Sequence, residues 1–316
     1  MSEKKIIAVL GATGAQGGGL AHSILNDATS NFSVRAITRN INSDKAKTLS
    51  DAGAEVVAAD MDDIESLKKG FMGAFGVYGV TNFWEHFSPQ KETQQGTNIA
   101  KAAKEAGVKH VIWSSFEDTR EKVPVDDNRM PTLMEHYKVP HFDSKGEVNK
   151  VFMEMGVPTT LMFTSFYWDN FIYFGMGPKP GQDGTLGIAF PMENKKLPGI
   201  AAGDIGKCAY GIFKAGDKYV NKTVGIAGEH LTGGQMSDGF TKALGQKVVY
   251  NAVTPDMYRS FGFPGAEDLG NMFQYKVDFN EDFRSIRDID VCRQLNPELQ
   301  SFSQWLDQNK DKIPLE

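Results

Sequence analysis

His141 and Lys145 stand one helical turn apart in the segment His141-Phe142-Asp143-Ser144-Lys145. An imidazole can pass a proton near neutral pH, and an ammonium can hold a hydroxylated or charged ligand. Ser114 and Ser115 add two hydroxyls after the predicted strand Val108–Trp113. Near the start of the chain, Gly11-Ala12-Thr13-Gly14-Ala15-Gln16-Gly17-Gly18 carries glycines spaced G-x-x-G-x-x-G. Such glycines do no chemistry themselves, but they let backbone N–H groups close on a phosphate.

The glycines are informative because of their flanks. Residues 6–10 are an apolar run, and Leu20, Ile24 and Leu25 follow at helical spacing. Strand, turn and helix in that order form the dinucleotide-binding context. There Gly11 permits the sharp exit from the strand, Gly14 leaves the backbone bare before a pyrophosphate, and Gly17 lets the helix lie close to the sheet. Further strands are predicted at 33–38, 55–59, 74–80, 108–113 and 159–163. Helices are predicted at 43–52, 63–69, from Ser88-Pro89 to Gly107, and at 140–155. Right-handed crossovers turn this alternation into an α/β Rossmann-type, doubly wound parallel sheet of order 3-2-1-4-5-6. Residues 1–165 are expected to form the dinucleotide domain and 166–316 a smaller α/β lobe. Strands at 185–190, 223–227 and 247–253, and helices at 203–213, 232–244, 255–261, 266–273 and 301–310, are expected in that lobe, with one strand returning to the main sheet.

Ligands of such sheets collect beyond the carboxyl ends of the strands. Those ends carry the glycine turn, Arg39, Asp60-Met61, Thr81-Asn82-Phe83, Ser114-Ser115 and Ser165-Phe166-Tyr167-Trp168-Asp169-Asn170. NAD sites place an acid at the end of the second strand, whereas Thr38-Arg39-Asn40 puts a guanidinium there. That group can pair with a 2′-phosphate, contributing about 1.5–3 kcal/mol, so NADP(H) is expected over NAD(H). Reductases on this fold use a Tyr four residues before a Lys as proton donor and ribose ligand. Here the phenol is replaced by His141. A neighbouring ammonium disfavours a protonated imidazole, so His141 is expected to be structural rather than catalytic, with Lys145 on the ribose. Ser114 and Ser115 stand where such enzymes carry a catalytic Ser, and Tyr137 and Tyr167 are phenols without a defining motif. The rings of Phe83, Trp84, Phe166, Tyr167 and Trp168 suit a flat aromatic or carbonyl ligand.

Composition narrows the classes. The 316 residues are 41% hydrophobic with a net charge of −6. No polybasic run is present, which argues against direct nucleic-acid or anionic-membrane binding. Cys208 and Cys292 lack metal-ligand spacing, so no metal is expected, and two distant cysteines fit a reducing compartment. The N-terminal apolar run is too short for a signal peptide and no apolar stretch spans a bilayer. The expectation is a cytoplasmic protein, also nuclear if the host has a nucleus.

The motifs together resemble a known family. The glycine turn, Thr38-Arg39-Asn40, Thr81-Asn82-Phe83-Trp84-Glu85, His141-Phe142-Asp143-Ser144-Lys145-Gly146-Glu147-Val148 and Phe261-Gly262-Phe263-Pro264-Gly265-Ala266 resemble the NmrA-like proteins, atypical members of the short-chain dehydrogenase/reductase superfamily. The resemblance runs over nearly the whole chain. It implies an NADP(H)-binding redox sensor without efficient dehydrogenase activity, acting through regulatory protein partners, and it leaves a homodimer open. Relatives of similar fold reduce small carbonyls, quinones or enones. By position, Gly11, Ala12, Thr13, Gly14, Ala15 and Gln16 would hold the pyrophosphate. Arg39, Asn40, Ile41, Asn42 and Ser43 would surround the 2′-phosphate, and Asp60 and Met61 the adenine. Thr81, Asn82 and Phe83 would line the nicotinamide side, Lys145 the ribose, and Phe166, Tyr167, Trp168 and Asp169 would close over the nicotinamide. Two departures stand out: Gln94 occupies the place of a cofactor-contacting Lys in the subgroup, with Lys91 three residues earlier, and Ile41-Asn42-Ser43 replaces basic residues.

Overall fold

A computed structural model describes residues 3–315. Its first half winds as β1 (Lys5–Leu10), α1 (Ala15–Asn26), β2 (Phe32–Thr38), α2 (Asp44–Asp51), β3 (Glu55–Ala58), α3 (Ile64–Phe71), β4 (Gly76–Gly79), α4 (Phe83–His86), α5 (Pro89–Glu105), β5 (His110–Ser115), α6 (Pro140–Glu154) and β6 (Thr159–Phe163). The second half adds β7 (Phe166–Tyr167), α7 (Asn170–Tyr173), β8 (Lys179–Pro180), β9 (Leu186–Phe190), β10 (Leu197–Ile200), α8 (Ala202–Lys214), β11 (Thr223–Gly225), β12 (Glu229–Leu231), α9 (Gly233–Leu244) and β13 (Val248–Ala252). The chain closes with α10 (Pro255–Arg259), α11 (Ala266–Asp278), α12 (Asn280–Ile286), α13 (Ile289–Leu295) and α14 (Phe302–Asn309).

Helix starts follow from side chains written in the sequence. Ser43, Asp63 and Ser88 accept hydrogen bonds from the first-turn amides of α2, α3 and α5, and Pro89 opens α5 where its missing N–H costs nothing. The main sheet has seven strands in the order β11-β6-β5-β4-β1-β2-β3, all parallel. Alternation along β1 sends Ile7 and Val9 to one face and Ala8 and Leu10 to the other. One face packs on α1, α8 and α13, the other on α3, α5 and α6. A third core, rich in Phe and Trp, fills the later lobe beneath two three-stranded sheets, β12-β10-β7 and β13-β9-β8.

The expected strand return is present: β11 joins β6 in parallel, Val224 opposite Met162. The later half contributes more than that strand. Helix α8 lies directly on α1, where Gly19 faces the Gly203 backbone and Gly206 faces the Gln16 and Leu20 backbone with no room for a Cβ. Other elements differ from expectation. Strand β5 begins and ends two residues later than expected, so Ser114 and Ser115 belong to it. Helix α11 continues to Asp278, and the short elements α4, α7, β7, β8, β10, β12, α12 and α13 were not legible as separate units. No described helix is long and apolar enough to cross a membrane.

Candidate functional site

The glycine turn has the geometry its spacing implies. Gly11 adopts φ 62°, open to glycine at little cost, and accepts a hydrogen bond from Gly14 N at 2.8 Å. A Cβ on Gly17 would strike the Gly11 carbonyl, so only glycine lets α1 lie this close to β1. No side chain caps the start of α1. Its first amides therefore remain available to an anion, the cradle a pyrophosphate requires.

Arg39 stands at the end of β2, as expected, with its side chain 62% exposed and paired to Glu85 at 2.7 Å. That hydrogen bond and the Glu85 charge raise its pKa. An exposed pair of this kind contributes only about 0–1 kcal/mol, so a doubly charged phosphate can displace Glu85. The loop beyond Arg39 is built for itself: Asn40 Oδ1 accepts from Asn42 N, Ser43 caps α2, and Ile41 is exposed. Across from it, Asp60 Oδ1 accepts from Asp62 N, and the Met61 carbonyl accepts from Asn98. Lys91 pairs with Asp62 at 2.8 Å, while Gln94 turns into a separate open groove between α5 and α6.

Beyond the turn, a cavity of about 1030 Å³ opens at the carboxyl ends of the strands. Ala15, Gln16, Thr81, Asn82, Phe83, Ser114, His141, Lys145, Phe166 and Tyr167 all line it, together with Trp84, Phe116, Phe142, Phe190 and Lys276. Gln16 is the hub of its polar edge: Oε1 accepts from Tyr78 and Ser114, both at 2.7 Å, and Nε2 donates to the Tyr167 hydroxyl at 2.8 Å. Gln16 thus reaches the cavity through its side chain as well as the cradle through its backbone. Burial pushes the Tyr167 phenol up to about 12.

Lys145 lies in this wall, but not free. Its ammonium stands 2.6 Å from Glu92 Oε1 and donates to Thr81 Oγ1 at 2.7 Å, and Thr81 donates in turn to Glu92. Burial alone would raise the Glu92 carboxyl, but the Lys145 charge and surrounding hydrogen bonds bring it to about 2. His86 Nε2 stands 3.4 Å from Glu92 Oε2 without closing a hydrogen bond.

His141 is held from the far lobe. Its Nδ1 meets Asp268 Oδ1 at 2.6 Å, and its backbone N–H reaches Oδ2 at 3.2 Å. The ring is packed beside Trp84, Phe83, Phe116 and Phe142. Both groups are therefore paired, Lys145 with Glu92 and His141 with Asp268. With Nδ1 engaged, Nε2 is the ring nitrogen left for a ligand.

Three expected site residues lie elsewhere. Ser115 is wholly buried, bonded to Asn149 at 2.7 Å and to the Lys145 carbonyl; it braces β5 against α6 and does not line the cavity. Trp168 lies just past β7 and packs against Phe302, Trp305 and Gly199 inside the later lobe, where its backbone N–H donates to the Ile200 carbonyl. Asp169 accepts from Ala202 N at 2.8 Å, fixing the start of α8. Tyr137 lies in the α5–α6 groove, away from His141. Segment 116–138 is anchored to the fold. Asp143 accepts from Thr119, Lys138 and Val139, and Lys138 Nζ donates to Asp127, Met130 and Thr132. Glu92, Asp268, Glu85 and Lys276 were missed. Distance in the sequence hid the three carboxylates, each of which meets its cation through the fold, and Lys276 lies within α11 in no motif.

Fold and site together define a Rossmann dinucleotide-binding protein with an aromatic cavity beside its phosphate cradle. The chain belongs to the NmrA-like family, which matches residues 3–306. It is 30% identical to the NmrA-like family domain-containing oxidoreductase FrzB of a Cladobotryum species, over 85% of this chain and 83% of that one. Among solved structures it resembles NmrA, a negative transcriptional regulator crystallised with NADP, at TM-score 0.77 and 23% identity, covering 97% and 95% of the two chains. It also resembles the Citrobacter triphenylmethane reductase complexed with NADP(H), at TM-score 0.74 and 22% identity, covering 96% and 99%.

Proposed function

We propose that the chain binds NADP(H) and reduces a flat apolar carbonyl, quinone or enone in the adjoining cavity. The observation that carries this reading is the His141–Asp268 pair on the wall of an aromatic cavity that begins at the phosphate cradle. The open amides of the turn and α1 fit a pyrophosphate, and Arg39 a 2′-phosphate. NADPH supplies the hydride when bound. Phe83, Phe116 and Phe166 exclude water and orient a flat substrate. His141 Nε2 would hold a proton toward the substrate oxygen and give it up there, and the ring would regain a proton from solvent once the site reopens on product release. Asp268 keeps Nε2 aimed and balances the charge. Support from similarity is the oxidoreductase name of FrzB and the NADP(H) complex of triphenylmethane reductase.

The test is NADPH oxidation with a panel of quinones, enones and aromatic aldehydes. His141→Gln should lower kcat on the order of 10²–10⁴-fold with little change in NADPH affinity. Asp268→Asn should also lower it and move the pH profile. No consumption of NADPH with any member of the panel overturns the reading.

A second reading is a sensor that changes partner affinity with the NADPH/NADP ratio. What favours it is that position 141 carries no phenol and that Glu92 and Thr81 already engage Lys145. A sensor needs a partner that binds its two states differently. Equal partner recovery with NADPH and with NADP would remove it.

A further inference from the structure

Lys276 on α11 lies in the cavity wall and is 1% exposed. Its Nζ donates to the thioether of Met272 at 3.2 Å, and the rings of Phe142, Phe273 and Phe283 surround it at 5.4, 5.7 and 5.2 Å. Among the described residues, no carboxylate closes a salt bridge with it, whereas Lys145 in the same wall has Glu92. Aromatic faces attract a cation far more weakly than the hydration it loses on burial. The structure thus keeps a poorly compensated ammonium beside an apolar space.

We propose that Lys276 anchors an acidic oxygen of the cavity's ligand, a flat aromatic ring system carrying a carboxylate or a phenol. This rests on reading the cavity as a substrate site. Phe142 links the two ends, since its ring touches both His141 and the Lys276 ammonium. His141 and Lys276 line the same cavity, so one ligand can place its acid on Lys276 and its reducible group toward His141. Little further desolvation is needed at Lys276, so an arriving anion gains the attraction of a low-dielectric site at reduced cost.

The charged and titratable groups facing Lys276 are Arg287 and Glu117, with the His141–Asp268 pair across Phe142. Arg287 is held by Glu117 in two hydrogen bonds of 3.1 and 2.8 Å, which leaves neither as a direct partner. Burial, and then the Arg287 charge, push Lys276 down to about 7. A carboxylate needs the ammonium. Its affinity should be flat below about pH 7 and fall about tenfold per pH unit above it. A phenol can donate to the neutral amine and should keep its affinity through that range.

The experiment titrates 2-naphthoate, 2-naphthol and methyl 2-naphthoate into the full chain with NADP present, followed by calorimetry and the fluorescence of Trp84. At about pH 6 at least one acid should bind tenfold or more above the ester. Lys276→Met should abolish that preference and Lys179→Met should keep it. The pH profile of the unmutated protein tells carboxylate from phenol and stands even where Lys276→Met fails to fold. An ester that binds as tightly as both acids, or a preference that survives Lys276→Met, overturns the proposal. Because binding is the readout, the result is independent of turnover: rapid reduction of neutral quinones without acid selection sinks this proposal alone, and acid selection without turnover sinks only the reductase reading.

Discussion

At the scale of single residues, the structure exchanges solitary side chains for pairs. Arg39 pairs with Glu85, Lys145 with Glu92, and His141 with Asp268. For Arg39 the exchange is cheap, because both groups are exposed. Arg39→Ala should therefore weaken NADPH binding about ten- to a hundredfold while leaving NADH binding within about twofold, measured by fluorescence titration. Equal losses for both cofactors would move the 2′-phosphate contact elsewhere. The glycine cradle, Arg39 and the His141–Lys145 segment were legible because each is a local pattern with a fixed place in this fold. Their partners were not. Asp268 lies on another helix in the later lobe, and only the closed fold shows that it meets His141. The misplacement of Ser115 has a simpler cause: in a strand, a shift of one residue turns a side chain to the opposite face. Trp168 follows the end of β7, where no strand period holds and packing of the later lobe takes the ring.

At the scale of elements, the contact between α1 and α8 decides how the cradle is held. Gly19, Gly203 and Gly206 bring the two helix backbones together, and α1 is the helix whose uncapped first turn forms the candidate phosphate cradle. Gly206→Ala would force a methyl group onto the Gln16 and Leu20 backbone. It should destabilise the protein by about 1–3 kcal/mol or more and weaken cofactor binding, read by thermal melts with and without NADP. A melting temperature unchanged within about one degree would show that the helices can part freely. Alternation of apolar strands with amphipathic helices made the main sheet readable almost strand for strand. The later lobe was less so, because β7, β8 and β12 have too few residues to show any period and are defined by long-range pairing.

At the scale of the whole molecule, buried ionisable groups set the pH response. Burial pushes His110 and His230 down to about 4, so the unfolded chain binds their protons first as pH falls below about 6.5. Both then contribute stability that is present above about pH 6.5 and lost toward pH 4. Asp143 works in the other direction: burial raises it to about 6, so the folded chain takes up a proton between about pH 6 and 4. Two histidines against one aspartate leave a net loss. The melting temperature should fall from pH 7 to pH 5, and the double variant His110→Gln, His230→Gln should flatten that slope. A wild-type melting temperature that holds or rises over the same interval would contradict this balance.

The strand β11 carries one more consequence, for synthesis. Until Thr223–Gly225 has left the ribosome, the edge of β6 has no neighbour, and until α8 has emerged the apolar face of α1 lies bare. An N-terminal half released alone would therefore expose a strand edge and apolar surface that the full chain covers, the features that favour aggregation. A stop codon after residue 165 should give aggregates in the cell, while one placed beyond the last helix should not.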